Sequence, residues 1–467
     1  MEQIILEDLI KAVNGELLSK DVNLKTVIKG ASSDNRKVTE GDVFFAFVGE
    51  NMDGHRFVDA AIEAGACGAI VSKIPEKMED NAFYIKVEDT IKAAGDLAKW
   101  YRSKFNIPVI GVTGSVGKTT MKDMIASVLS QKFNVLKTAA NFNNNIGLPR
   151  TLLGITKETQ VCVVEMGMNH MGEIDYLVDI AKPTCAVITN VGDAHIGNLG
   201  SRENIFKAKS EIFNGLKEKS LAVMNADDEY LKKLRNDKVK NEKFRFVWVG
   251  ESNGDIIAKN IEDSLKECVK FLLVEDKEEL LVTVPALGRH MIYPAMTAYA
   301  IGKDLGMTDE EIIKGIAAYV PTAMRMEAWN VGDNITIYND TYNANPQSMK
   351  AGLTTLSKSI TSVKVAVLGD MLELGDMEEK LHREVGSFAA GLNLTTLVTV
   401  GKRAEYIAAA AKECGMSDVV SFEDTESAIV FLESLVKKDT TLYFKASHAM
   451  ALEKIAVFCK EVAEKNK

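Results

Sequence analysis

The stretch GVTGSVGKTT, residues 111–120, decides the fold because it joins an apolar run to a helix through a loop of small residues. The run IPVI precedes it, and MKDMIASVLS, which is typical of a helix, follows it. In a strand–loop–helix unit of this kind the backbone N–H groups of the loop face a phosphate, and the helix dipole favours the negative charge. The phosphate site is therefore predicted at Gly114, Ser115, Gly117, Lys118, Thr119 and Thr120. Lys118 would reach the terminal phosphates and Thr119 would offer its hydroxyl to Mg²⁺.

The loop departs from the usual phosphate-loop pattern at one position. That pattern places glycine five residues before Gly117, where this chain has Val112. Gly111 and Gly114 supply the backbone freedom instead. The alternative interpretation is a glycine-containing turn between a strand and a helix that binds nothing. The order Gly-Lys-Thr-Thr between a strand and a helix favours phosphate binding.

Outward from the loop, apolar runs alternate with helical stretches. PVIGVT, VCVVEMG, CAVITNV and LAVMNAD are short and continuously apolar, as strands buried on both faces should be. Helices are predicted between them at 118–131, 172–181 and 202–217. This is the pattern of a parallel sheet covered by helices, so residues 107 to 320 predict an α/β domain around the phosphate loop.

Two further α/β units flank the central one. The runs GDVFFAFVG and CGAIVS, together with helical stretches, precede the phosphate-loop strand. After VPTAMRMEAW, the runs VKVAVLGDM, TTLVTVG and TLYFKAS alternate with helices as in a Rossmann-like sheet. We predict three domains: a small α/β module at 1–105, a central P-loop ATPase domain with a mostly parallel sheet at 106–320, and a Rossmann-like domain at 321–467.

Composition excludes several classes of protein. The net charge of −10 argues against non-specific nucleic-acid binding, because no basic surplus is present to neutralise phosphates. The six cysteines are scattered without a CxxC pair, which favours free thiols in a reducing compartment. The N-terminus lacks the pattern of a signal peptide, and no apolar run approaches the ~20 residues of a membrane span. The sequence therefore predicts a cytoplasmic protein.

Four other segments carry groups suited to a nucleotide site. Glu165 ends a strand after four apolar residues, where a charge is costly to bury without a cation, so a metal role is favoured. His195 lies in a glycine-rich loop after another strand, as either a ligand or a surface residue. FKAKSEIF, residues 206–213, carries two lysines on a helix and could be only a solvated face. TAANFNNNIGLPRTL, residues 138–152, is a loop of amide groups or simply a turn.

These motifs in this order resemble the Mur ligases of peptidoglycan synthesis. The resemblance rests on TGSVGKTT, NFNNNIGLP, VVEMGMNHMGEI, FKAKSEIF, LGRH, MRME, NDTYNANP, VLGDMLELG and FKAS, and it covers essentially the whole chain. NDTYNANPQSM with VLGDMLELGDMEEKLH is similar to the member that adds D-alanyl-D-alanine to UDP-N-acetylmuramoyl-tripeptide. SSDNRKVTEGDVFFAFVGENMDGHRF is similar to a UDP-sugar-binding module. The resemblance implies ATP and Mg²⁺, an acyl phosphate, these two substrates as partners without nucleic acid or a membrane span, and a monomer.

The resemblance also implies a role for each matching residue. The catalytic and metal-binding residues would be Lys118, Thr119, Glu165, His195 and Lys209, with Lys209 carried as a carbamate that ligates magnesium. Arg325 would reach the nucleotide phosphates and Asp340 the ribose. The sugar-peptide and dipeptide would be bound by Ser33, Asp34, Arg36, Asn141, Asn144, Asn145, Asn343, Lys445 and Ser447, and the loop from Asn141 to Asn145 would contact either the sugar-peptide or the γ-phosphate. Domain closure would be required, because Arg325 and Asp340 belong to a different domain from Lys118.

Three departures from the family pattern predict local differences. Where the family usually carries two asparagines associated with adenine, LGRHMIYPAMTAYA has Met291 and Pro294. The C-terminal motif has Ala446 and His448, and the N-terminal one has Asn35. Two other functions stay open: a related ligase with another acceptor, or a P-loop ATPase or degenerate nucleotide-binding paralogue without a synthetic role. The UDP-sugar-like module argues against the first, and the full motif set against the second.

Overall fold

A mostly parallel sheet forms the middle of the molecule. The computed structural model describes residues 1–49, 52–263, 267–332 and 334–465, and within them this sheet has nine strands. Their order across the sheet is Val135–Lys137, Val161–Glu165, Val109–Thr113, Cys185–Ile188, Leu221–Asn225, Arg245–Gly250, Ile256–Glu262, Val269–Glu275 and Glu278–Val284. The first seven are parallel, and the last two are antiparallel to their neighbours. The α/β class with a mostly parallel sheet is confirmed.

Helices cover both faces of this sheet, which is why its inner strands are apolar throughout. All five residues of Val109–Thr113 and of Val161–Glu165 are buried. The helices of this region are Lys118–Leu129, Gly147–Leu153, Glu173–Ala181, Ile196–Leu199, Arg202–Ser210, Lys238–Lys243, Ile292–Asp304 and Asp309–Ala317.

The helix predicted over 202–217 is shorter than expected. It ends at Ser210 and continues as a 3₁₀ turn, Glu211–Gly215. The carboxylate of Glu211 accepts hydrogen bonds from the N–H groups of Gly172 and Asp175, at 2.8 and 3.1 Å, and so caps the neighbouring helix. This tertiary contact is invisible to helical periodicity.

The N-terminal unit contains a smaller sheet beside a two-stranded ribbon. The strands of the sheet, in spatial order, are Glu16–Leu17, Phe83–Lys86, Gly68–Val71, Asp42–Phe45 and Gly30–Ser32. The ribbon pairs Ile4–Ile5 with Val27–Ile28. The helices are Leu6–Val13, Val58–Glu63 and Thr90–Arg102. The last of them contacts helices Gly147–Leu153 and Glu173–Ala181 of the central unit, so the two units share a packed surface.

The C-terminal unit is built on a third sheet. Its strands, in spatial order, are Glu327–Val331, Ile335–Asn339, Thr440–Lys445, Val363–Gly369, Thr396–Val400 and Val419–Phe422. The first pair is antiparallel and the others are parallel. Its helices are Pro346–Ser357, Glu378–Ala390, Glu405–Glu413, Thr425–Leu435 and Glu453–Lys465. The domain boundaries drawn from the sequence at 105/106 and 320/321 stay predictions.

None of the helices in the described part of the chain combines the length and apolar character needed to cross a bilayer.

Candidate active site

A cavity of about 440 Å³ opens at the carboxyl ends of the central parallel strands. The C-terminal unit closes it from the opposite side, so both units contribute walls. The predicted site residues that line it are Ser115, Gly117, Lys118, Thr119, Thr120, Asn141, Asn144, Glu165, His195, Arg325, Asp340, Asn343 and Lys445. Parallel strands bring their carboxyl ends to one edge of a sheet, which explains how segments far apart in sequence meet here.

The phosphate loop runs from the end of strand Val109–Thr113 to the start of helix Lys118–Leu129. Gly117 has φ of 81°, a left-handed conformation that favours glycine at this position. Gly114 lies behind the cavity wall, where a Cβ would meet Oγ1 of Thr189 at 1.8 Å. The ammonium of Lys118 donates to the carbonyl of Gly114 at 2.9 Å. The loop therefore closes on itself with its lysine held over the position where phosphates would lie.

Burial controls the electrostatics of this lysine. Desolvation lowers the pKa of Lys118 while the nearby carboxylate of Glu165 opposes that effect, and the Arg325 cation adds to the lowering. Lys118 thus lies between one anion and one cation. A bound polyphosphate would add negative charge and favour its charged form.

Glu165 forms a polar cluster at the end of its strand. Its Oε2 accepts from the hydroxyl of Thr119 at 2.9 Å, and its Oε1 accepts from the amide of Asn143 at 2.8 Å. The side chain is buried at 3% exposure, so these two bonds satisfy a carboxylate that water barely reaches.

This donor set fits Mg²⁺ held together with a nucleotide. Among the described residues, no three His, Cys, Asp or Glu side chains gather around one point as a closed metal cage. One carboxylate beside one hydroxyl suits Mg²⁺, which keeps several waters and takes further oxygens from substrate phosphates. Thr119 and Glu165 would hold the ion.

Lys209 is fully buried and lies outside the cavity lining, near Lys118. Burial lowers the pKa of Lys209 well below its ordinary value, and the Lys118 cation acts in the same direction. No hydrogen bond or ion pair joins its ammonium to another described residue. The structure thus presents a buried amine without a counter-charge, a state that favours its neutral form.

Arg325 extends from the linker before the C-terminal sheet toward the phosphate loop. One guanidinium nitrogen lies 3.5 Å from Oγ1 of Thr119, and the guanidinium carbon lies 3.9 Å from the centre of the Tyr342 ring. Its Nε is buried without a hydrogen-bond partner among the described residues. Both neighbours, Met324 and Met326, have left-handed backbones with φ of 58° and 51°. Strain of this kind in non-glycine residues is concentrated at functional sites.

Asp340 and Lys445, predicted to contact different ligands, form one buried ion pair with an N–O distance of 2.6 Å. The same Oδ2 accepts from the hydroxyl of Tyr443, and Oδ1 accepts from the N–H of Met326. The pair therefore organises the cavity wall on which the strained Arg325 segment rests.

Only part of the asparagine loop faces the cavity. Asn141, Asn143 and Asn144 line it, whereas Asn145 is exposed outside it. The amide oxygen of Asn144 accepts from the N–H groups of Ile146 and Gly147 and so shapes the turn. Asn143, which lies within the predicted loop but was not singled out, donates to Glu165. Sequence alone could not rank four asparagines within one loop, because only the folded turn decides which amide faces inward.

Three predicted UDP-site residues follow the strand Gly30–Ser32 of the N-terminal sheet, apart from the cavity. Ser33 and Arg36 are exposed, and the Asp34 carboxylate accepts from the Arg36 guanidinium at 2.8 and 2.9 Å. The Arg36 side chain lowers the pKa of Asp34 to about 2. Ser447 also lies outside the lining, where its buried hydroxyl accepts from the N–H of Leu372. In the structure Ser447 supports a loop.

Met291 and Pro294 both line the cavity, at the start of helix Ile292–Asp304. Between them Tyr293 donates its hydroxyl to Asp227 at 3.0 Å, which commits that polar group. The exposed side chain of His290 also lines this end. Among the described residues no hydrogen bond uses its ring. Its imidazole is thus open to a ligand there.

Comparison with known proteins agrees with this architecture. The UDP-N-acetylmuramoyl-tripeptide–D-alanyl-D-alanine ligase of Bacillus subtilis (strain 168) is 37% identical over 453 residues, covering 96% of this chain and 97% of that one. The chain belongs to the Mur ligase family. The ligase of the same name from Escherichia coli (strain K12) is 35% identical over 97% of this Mur ligase and 98% of its own length.

Family models match this Mur ligase in three successive parts. They are described as Mur ligase family, catalytic domain, at residues 27–102; Mur ligase middle domain, at 112–302; and Mur ligase, glutamate ligase domain, at 324–448. Crystal structure I of MurF from Acinetobacter baumannii superposes with a TM-score of 0.91 at 33% identity over 99% of both chains. MurF ligase from Thermotoga maritima in complex with ADP gives 0.83 at 28% identity, over 94% of this chain and 98% of that one.

Proposed function

We propose that this Mur ligase joins D-alanyl-D-alanine to UDP-N-acetylmuramoyl-tripeptide, with ATP as the energy source, in the synthesis of peptidoglycan precursors for the cell wall. One observation carries the proposal: the phosphate loop and the C-terminal unit face each other across a single cavity. The relatives that bear this activity in their names match nearly the whole chain, which supports the choice of substrates.

The chemistry starts from a poor electrophile. A free carboxylate resists attack by an amine, whereas an acyl phosphate formed by transfer of the γ-phosphoryl group of ATP carries a good leaving group. The amine of the dipeptide then attacks the acyl carbon, and an amide, ADP and phosphate result. In phosphoryl transfer of this type, a protein contributes mainly positioning and charge stabilisation.

The chain's own residues divide that work between the two units. Lys118 and the loop N–H groups would hold the phosphates, and Arg325 would approach them from the other side. Thr119 and Glu165 would hold Mg²⁺, which when bound would neutralise charge on the phosphate oxygens. Since Arg325 lies 3.5 Å from Thr119, closing the C-terminal unit over the loop completes the positive surroundings of the phosphates.

Lys209 and His195 complete the proposed site. The neutral amine favoured at Lys209 is the form that reacts with carbon dioxide, and the carbamate formed with release of a proton would place an anion there. His195 lines the cavity and would help to hold a second Mg²⁺. Ser33, Asp34 and Arg36 would bind the UDP end of the substrate. We place the reaction in the cytoplasm, where ATP is available, and expect a monomer to carry it out.

The test is phosphate release from Mg²⁺-ATP by the purified protein, with UDP-N-acetylmuramoyl-tripeptide present and D-alanyl-D-alanine added or omitted. We expect release that requires both substrates, together with a product heavier by one dipeptide. The Lys118→Ala variant should abolish both signals. Phosphate release that depends on neither substrate would identify an ATPase instead. A product formed only with another acceptor would identify a related ligase.

A further inference from the structure

A contact between the central and C-terminal units reaches a residue of the cavity wall. Nδ1 of His195 lies 2.8 Å from Oε2 of Glu373, which follows the C-terminal strand Val363–Gly369. The N–H of Gly197 donates to the backbone carbonyl of Glu373 at 3.2 Å. A Cβ at Gly197 would meet the backbone nitrogen of Gly375 at 2.7 Å, so the two backbones touch. Contacts of side chains and of backbone atoms therefore join residues 195–197 of the central unit to residues 373–375 of the C-terminal unit.

Glu373 is the group closest to pairing with this imidazole nitrogen. Nδ1 is buried, and no described residue presents an acceptor aligned with it. The carboxylate oxygen at 2.8 Å needs only a small rotation to accept a hydrogen bond from this nitrogen. No described group binds Nε2, and the imidazole lines the cavity. The two nitrogens are thus divided between the interface and the cavity.

The loop that carries Glu373 is held firmly from behind. The N–H of Met371 donates to Nε2 of His382 at 3.0 Å, and that of Leu372 donates to the hydroxyl of Ser447 at 2.9 Å. Glu373 itself has a left-handed backbone with φ of 63°, a conformation that a glutamate adopts only when its surroundings impose it. His195 has the same φ of 63°. Both partners are therefore held in strained backbone conformations at the point where they meet.

We infer that Glu373 is a positioning residue for His195: on domain closure its carboxylate accepts a hydrogen bond from Nδ1–H, so that Nε2 faces the cavity with a free lone pair. The inference rests on the proposed function, in which the C-terminal unit closes over the phosphate loop. A neutral imidazole carries its proton on one nitrogen only, and a carboxylate behind Nδ1 selects the tautomer that leaves Nε2 free for a metal ion. Closure of the C-terminal unit would then also prepare His195 to bind a metal ion.

The first test measures the tautomer directly. Long-range ¹H–¹⁵N spectra of histidine-labelled protein resolve both ring nitrogens, and loss of one signal set in a His195→Gln variant assigns His195 among the six histidines. Samples contain ADP and a chelator, so that the C-terminal unit can close while no metal ion selects the tautomer. We expect the Nδ1–H form in the wild type and in Glu373→Gln, whose amide oxygen still accepts. Glu373→Ala should shift to the Nε2–H form.

The second test distinguishes a role of Glu373 in positioning His195 from a role only in holding the two units together. Loss of a carboxylate behind a metal-binding histidine typically lowers activity or metal affinity about 10- to 100-fold. We expect Glu373→Ala to lower kcat by about that factor with KM for the UDP substrate changed less than about twofold, and Glu373→Gln to recover part of the loss. Asp376→Ala, which removes an exposed carboxylate three residues away, should match the wild type.

Either of two results would overturn the inference: an unchanged His195 tautomer in Glu373→Ala, or a raised KM with kcat intact. Failure of the proposed function looks different. In that case the wild type itself forms no ligated product, while the spectra still decide whether Glu373 sets the tautomer of His195.

Discussion

The hydroxyl of Thr119 donates to Oε2 of Glu165 across 2.9 Å, which ties the first turn after the phosphate loop to the end of the neighbouring strand. The same hydroxyl lies 3.5 Å from the guanidinium of Arg325, so one side chain touches a carboxylate of the central unit and a cation from the C-terminal linker. The hydroxyl oxygen of Thr119, next to the phosphate loop, therefore contacts both the proposed metal ligand Glu165 and the C-terminal linker.

Removing that oxygen should disable the enzyme without unfolding it. In Thr119→Val the shape is kept, but buried Glu165 loses a donor at a cost of about 1–3 kcal/mol. We expect kcat/KM to fall at least about 100-fold, since the same hydroxyl would also bind Mg²⁺. Thr119→Ser should keep most of the activity. Steady-state rates across a Mg²⁺ series measure this, and an active valine variant would contradict the role assigned to the hydroxyl.

Arg325 should not tolerate lysine. Its planar guanidinium stacks on Tyr342 and points toward Thr119, which an ammonium cannot reproduce. We expect Arg325→Lys to lower kcat about 10- to 100-fold, in the range found for groups that stabilise transition-state charge. Arg383→Lys, in an exposed pair with Glu413, is the matched control and should change nothing. Equal rates for both variants would remove Arg325 from the phosphate site.

Lys209 should lower the stability of the fold. Its pKa in the folded protein is well below the ordinary value, so between these two values the unfolded chain binds the extra proton. Stability of the wild type consequently rises with pH across that window, and the cost at low pH is about 1.4 kcal/mol per unit of pKa lowering. Lys209→Met should therefore be more stable at pH 7 and inactive.

The sign of this effect can be checked by denaturant unfolding in buffer freed of carbon dioxide. The stability difference between Lys209→Met and the wild type should shrink as the pH is raised from 7 toward 10. Lys207→Met, exposed on the same helix, should show a small difference that does not vary with pH. A methionine variant less stable than the wild type at pH 7 would contradict the buried, uncompensated amine.

A side chain at Gly197 should keep the two units apart. Its Cβ would meet Gly375 and Glu373 backbone atoms at 2.7 and 2.9 Å, and backbone cannot move aside as a flexible side chain can. We expect Gly197→Val to reduce kcat at least about tenfold with little loss of thermal stability, since only a closed arrangement is blocked. Distances between labels on the two units should lengthen. Asn198→Ala, exposed on the same turn, serves as the control.

The end of the cavity that Met291 and Pro294 line should discriminate only weakly between nucleotide bases. Neither Met291 nor Pro294 offers a side-chain hydrogen bond, and the hydroxyl of Tyr293 is committed to Asp227. Restoring amides with Met291→Asn and Pro294→Asn together should raise the preference for ATP over GTP about tenfold, the worth of one net hydrogen bond. The ratio of kcat/KM values measures it. Lys303→Asn, at the far end of the same helix, should leave the ratio unchanged.

Local patterns in the sequence predicted the architecture well, because buried parallel strands and a phosphate loop are local features. The runs around 109–113 and 161–165 must be apolar where helices cover both faces of a sheet, so composition alone marks them. The predicted end of the 202–217 helix was wrong. The helix ends at Ser210, because Glu211 accepts hydrogen bonds from N–H groups of another helix.

The sequence by itself determined the α/β class, the phosphate loop and the family, since each is identified from short stretches of contiguous residues. Only the tertiary structure decided which groups meet. Lys445 pairs with Asp340, Asn143 holds Glu165, and Glu373 reaches His195. The partners of each pair are at least 22 positions apart in the chain, and no periodic pattern in the sequence predicts the pairing. These contacts exist only when the fold brings the partners together, and the ion pair of Lys445 with Asp340 is strengthened because folding also removes most water from it.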